Sequence, residues 1–84
     1  MDQGRQQEIL TRFGKRIQQL RNATGMSVRA FATHANIDYT NLSQIENGQV
    51  NLTLLTIMQL AEGFGLEPCV FFTEESPDLL LPRQ

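Results

Sequence analysis

Apolar residues recur along this chain at spacings of three and four, and no segment sustains a two-residue alternation, so the pattern predicts helices and no strands. Ile9, Phe13, Ile17 and Leu20 make one stripe and predict a first helix from about Gln6 to Thr24. Arg12, Lys15, Arg16 and Gln19 fall on its other faces, and Gly25 stands where a helix C-terminal glycine belongs. Ser27 is a suitable N-cap for a short second helix, Val28–Ala35, with Phe31, Ala32 and Ala35 inward. Asn36 follows, and asparagine tolerates the left-handed conformation that a tight turn needs. Asp38 then caps a third helix, Tyr39–Glu46, whose inward residues are Leu42 and Ile45, and Asn47-Gly48 stops it. After a loop, Thr53 caps a fourth helix reaching about Phe64, with Leu54, Ile57, Leu60 and Ala61 inward and Gly65 at its end. Pro68 opens a fifth short helix, Pro68–Phe72.

Eighty-four residues of which 40% are hydrophobic make one small compact domain, and the expected division is a domain over 1–72 and an irregular tail over 73–84. The single cysteine, Cys69, and the single histidine, His34, exclude an internal disulfide framework and any zinc site built on several of these residues. No apolar run approaches the roughly 18 residues that span a bilayer, and the polar first residues do not resemble a signal peptide, so the expected setting is cytoplasmic with no membrane partner. A net charge of −2 at first speaks against a polyanionic partner. The sum hides a split, because residues 1–30 carry six cations against two acids and residues 31–84 one cation against seven acids. A chain so divided can present a basic face.

The second and third predicted helices, joined by a tight turn, match the helix-turn-helix pattern. With Val28 as the first position, the fifth is Ala32, small where two helices cross. The ninth is Asn36 at the turn, and the fifteenth and eighteenth are the anchors Leu42 and Ile45. Flanking segments extend the match: Gly14-Lys15-Arg16-Ile17 with Leu20-Arg21, Gly25-Met26-Ser27, Phe31-Ala32, Leu42-Ser43-Gln44-Ile45-Glu46-Asn47-Gly48, and Leu60-Ala61 through Gly65-Leu66. On these residues the chain resembles the phage repressor/Cro-type (XRE) family of regulators from about Phe13 to Phe72.

The resemblance implies an all-α, five-helix, lambda-repressor-like domain that binds double-stranded DNA as a homodimer, on a two-fold operator, through the major groove. It places Tyr39, Thr40 and Gln44 where relatives read base edges, with Asn41 within reach. The residue types suit that role: glutamine pairs bidentately with adenine, and threonine meets a thymine methyl. It assigns phosphate contacts to Ser27, Arg29, Ser43, Asn47, Gln49 and Asn51, with Lys15 and Arg16 adding long-range attraction. Arg21 and Glu46 match a structural ion pair that bridges the first and third helices in relatives. Because relatives pair around the fourth loop and fifth helix, Leu55, Leu66, Cys69, Val70 and Phe72 are the candidate dimer interface, and the apolar tail sequence Asp78-Leu79-Leu80-Leu81-Pro82 is expected either to cross to a partner subunit or to cover its own domain.

Two departures from the family pattern change the expectation. Val28 replaces the usual glutamine, and the third helix carries no lysine or arginine, which predicts modest non-specific affinity and a shallow salt dependence. These features and the net acidity support an alternative, a protein-binding module such as an antitoxin or anti-repressor that retains the fold. No phosphate-binding loop, nucleophile–base pair or paired carboxylates are present in the pattern, so no enzyme activity, cofactor, metal or small-molecule ligand is expected.

Overall fold

A computed structural model describes residues 1–73, so the expectations for the tail, including its apolar sequence from Asp78 to Pro82, lie outside the described residues. Four α-helices run in the order α1 (Gln3–Thr24), α2 (Val28–Ala35), α3 (Tyr39–Glu46) and α4 (Leu54–Phe64), followed by a 3-10 helix, Pro68–Phe72. No strand occurs among the described residues. Each α-helix begins on a side chain that accepts a backbone N–H three residues on: Asp2, Ser27, Asp38 and Thr53 accept from Arg5, Ala30, Asn41 and Thr56. These caps satisfy one of the N–H groups that every helix start leaves unpaired.

The structure corrects several features of the sequence pattern. The fifth predicted helix is a single 3-10 segment, so the α-helices number four among the described residues. Proline opens it, and five residues are too few for a stable α-helix of their own. α1 starts at Gln3 rather than Gln6, because Asp2 supplies a cap that the apolar stripe does not reveal. Finally, Leu54 points outward at 71% exposure, and Ile9 is also exposed.

The core is one cluster. Ile17 and Leu20 of α1, Phe31 of α2, Leu42 and Ile45 of α3 and Leu60 of α4 are fully buried at its centre. Phe64 stacks on Phe31 with centroids 4.3 Å apart, and Phe71 meets Phe13 edge-on at 5.7 Å, closing the end beside the 3-10 helix. Arg16, placed by its spacing on a polar face, is instead buried. Its Nε donates to the Val70 carbonyl (3.0 Å) and its Nη2 to Thr73 Oγ1 (3.1 Å), so it fastens the 3-10 helix to α1.

Candidate nucleic-acid interface

α2 and α3 are held at a fixed angle by the turn between them. Asn36 adopts φ 57° and ψ 44°, and no other non-glycine residue among those described has positive φ. Asparagine reaches this region at lower cost than a branched side chain. Immediately after it, Ile37 buries its side chain and donates its N–H to Ala32 O (2.9 Å). Gln59 of α4 reaches the same place: its Nε2 donates to the carbonyls of Ala35 (3.1 Å) and Asn36 (2.5 Å), closing the end of α2. Nothing in the spacing of Gln59 distinguishes it from a surface glutamine, because its partners lie 23 and 24 residues away. Behind α2, Gly63 lets α4 approach so closely that a Cβ there would lie 2.7 Å from Ala35 Cβ.

α3 is fixed from its other side by α1. At Gly14 a Cβ would run into the carbonyl oxygens of Ile45 and Glu46, the latter at 2.7 Å, so the two backbones meet where only glycine fits. Next to this contact Arg21 donates from Nε to Glu46 Oε2 (2.7 Å) and from Nη2 to Oε1 (3.0 Å), while its Nη1 donates to the Met26 carbonyl (2.9 Å). Both residues are buried. The Glu46 hydrogen bonds hold the Arg21 guanidinium above its ordinary pKa, burial opposes them, and the nearby negative charge adds to them. Beyond α3, the Gly48 carbonyl accepts from Gln7 Nε2 (2.9 Å), which ties the following loop back to α1.

With its inner face locked by Leu42, Ile45 and Glu46, α3 turns its start outward. Tyr39 and Thr40 are exposed, and Asn41, Ser43 and Gln44 are half-buried. Ser27 and Arg29 are exposed at the start of α2, and Asn47, Gln49 and Asn51 are exposed in the loop after α3. Two of these side chains already have work within the fold. Ser27 Oγ caps α2, and Asn47 Nδ2 donates to the Ser43 carbonyl (2.9 Å). Arg29 stands over Tyr39, its guanidinium carbon 4.4 Å from the ring centroid. Val28 is half-buried and packs against the core, which explains how an apolar residue occupies that position.

The residues expected at a two-fold interface are divided. Leu55 (79%) and Phe72 (67%) are largely exposed and Cys69 is exposed, whereas Leu66 and Val70 are half-buried against their own core. Leu54 and Met58 join Leu55 to make an apolar surface on α4. His34 donates from Nε2 to the Gly63 carbonyl (2.9 Å) and so helps to hold α2 on α4. Among the described residues no group of three or more His, Cys, Asp or Glu side chains is arranged to hold a metal, and no helix is long and apolar enough to cross a membrane.

Residues 17–71 match the helix-turn-helix family profile, which covers the whole α2–turn–α3 unit. Control protein C.MunI of a Mycoplasma species is 32% identical over 68 residues, which is 80% of this chain and 92% of that protein. The transcriptional regulator PuuR of Escherichia coli is 33% identical over 66 residues; this chain spans only 36% of PuuR. In structure, the restriction-modification controller protein C.AhdI from Aeromonas hydrophila superposes with a TM-score of 0.75 at 34% identity, over 77% of this chain and 98% of that one. A helix-turn-helix transcriptional regulator from Vibrio cholerae gives 0.78 at 26% identity, over 88% of this chain and 41% of that one.

Proposed function

The chain belongs to the helix-turn-helix family, and from that premise we propose that it is a sequence-specific regulator of transcription that places α3 in the major groove of double-stranded DNA. The observation that carries this reading is the state of α3: anchored through Leu42, Ile45 and the Glu46–Arg21 pair, it presents Tyr39 and Thr40 to solvent, with Gln44 one turn further on. In this reading Tyr39, Thr40 and Gln44 meet base edges. Ser27 and Arg29 at the start of α2, Ser43 in α3, and Asn47, Gln49 and Asn51 in the loop after α3 meet the sugar–phosphate strands and set the register.

The active unit in this reading is a homodimer on a two-fold operator, with half-sites about one helical turn apart. Leu55, Phe72 and Cys69, together with Leu54 and Met58, supply exposed surface for the pairing, and Leu66 and Val70 border it. Burying a leucine of this exposure contributes about 1.5–3 kcal/mol, so a few such residues from each copy are a substantial driving force. Likeness to C.AhdI makes a restriction–modification locus the first place to search for an operator.

Selection of bound sequences from random double-stranded DNA tests the proposal. Enrichment of a near-palindrome is the expected result. Failure to enrich any sequence, with a protein captured in its place, would instead favour the protein-binding module.

A further inference from the structure

The DNA-reading helix of this chain has no lysine or arginine of its own, yet a cation stands over its first residue. Arg29 is the second residue of α2, and its guanidinium carbon lies 4.4 Å from the centroid of the Tyr39 ring. That is well within the roughly 6 Å over which a cation is attracted to an aromatic face. Both side chains are exposed, and they flank a shallow hollow between α2 and α3 that is floored by Ala32 and Ile37. The neighbouring acid, Asp38, is directed at the α3 backbone, its Oδ2 accepting from the Asn41 N–H at 3.1 Å.

We propose that Arg29 is a specificity-determining residue that acts by positioning Tyr39. The inference rests on the reading that α3 meets base edges. A guanidinium carries five N–H donors, so one that lies over a ring keeps donors for a phosphate oxygen. One side chain then grips the DNA strand and at the same time restricts the ring that lies over the bases. The rotamer of Tyr39 is set before DNA arrives, so the complex does not have to order it. A plain phosphate contact weakens binding to all sequences alike. Arg29 instead sets how strongly one base pair per half-site is discriminated.

The test is a double-mutant cycle on the DNA site that the wild-type protein selects, with the base preference of each variant measured at every position. Arg29→Ala is expected to weaken binding and also to flatten preference at the base pair that Tyr39→Ala alters. The double variant is expected to lose less than the product of the two single effects, by about 2- to 12-fold, the span for restraining one side chain. Arg29→Lys, which keeps the charge without the planar guanidinium, should recover affinity more than preference. The free protein gives an independent readout, because the ring current of Tyr39 acts on a side chain held 4.4 Å from its centroid. Arg29 side-chain protons should resonate upfield in the wild type and in Tyr39→Phe, and return to ordinary positions in Tyr39→Ala. Uniform loss across sequences with single effects that multiply to within about twofold would overturn the inference and leave the DNA-binding proposal intact. Unshifted Arg29 protons in the wild type would overturn the stack itself. A wild-type protein that selects no DNA would remove the functional reading, and this inference with it.

Discussion

Arg21 and Glu46 stand 25 positions apart, and no rule of local spacing pairs them; the fold brings them to 2.7 Å. Removing one partner of such a buried, bidentate pair strands the other charge and costs about 3–5 kcal/mol. Arg21→Met is therefore expected to lower the melting temperature sharply, and an unchanged melting curve would refute that role. The sign of the Arg21 shift also makes a statement about pH. Its folded pKa is raised, so its stabilising contribution is fully present below the unfolded value and is lost only as pH rises through the folded one. This group therefore adds no slope to stability across neutral pH. Arg16 shows why single residues are the least legible scale. Its position in α1 reads as a polar face, but its partners are a carbonyl 54 residues on and a hydroxyl 57 residues on, which nothing local announces. The partners of Gln59 are likewise remote in sequence.

At the scale of elements the chain is far more legible, because caps and stops are local chemistry. Ser27, Asp38 and Thr53 cap the helices they precede, and Gly25, Asn36 and Gly65 end helices in the left-handed conformation. The exceptions have physical causes. α1 gains its first turn from Asp2, and the segment after Pro68 is too short to complete an α-helix. What local pattern does not reveal is how closely elements approach. Gly14 is the clearest case, since its missing side chain sets the distance from α1 to α3. Gly14→Ala should destabilise by about 1–3 kcal/mol, as overpacking does. Because the obstacle is backbone of α3, it should also displace that helix and reduce DNA affinity beyond the loss explained by unfolding. Gly25→Ala is the control. It has φ +80° but open space around a Cβ, so it should reduce stability by about 1–2 kcal/mol from backbone strain and leave affinity unchanged in the folded fraction. Equal affinity for the two folded variants would contradict the positioning role of Gly14.

At the scale of the whole molecule, a net charge of −2 is misleading for a protein proposed to bind DNA. Glu46 is taken up by Arg21 inside the fold, and Arg29 brings a cation to the mouth of α3. α3 itself carries no lysine or arginine to displace counterions. Titration of specific binding against salt should give a slope below about ten released ions, and a slope of ten or more would contradict this charge distribution. In the proposed reading affinity depends on two copies acting together. Leu55→Asp is expected to leave the domain folded, because that side chain is 79% exposed, but to give a monomer in sedimentation and weaken binding to a full operator far more than to a half-site. An unchanged dimer would place the interface elsewhere. The helical class and the motif could be read from spacing, whereas which of Leu55, Leu66, Cys69, Val70 and Phe72 stay uncovered depends on packing between segments distant in sequence. The most direct test of the central claim, that α3 of this chain reads bases, is the base-preference profile of Gln44→Ala beside that of the wild type. The account predicts that discrimination falls at one base pair in each half-site by about 1–3 kcal/mol, with the rest of the profile and the melting temperature preserved. A profile identical to the wild type at every position would contradict it.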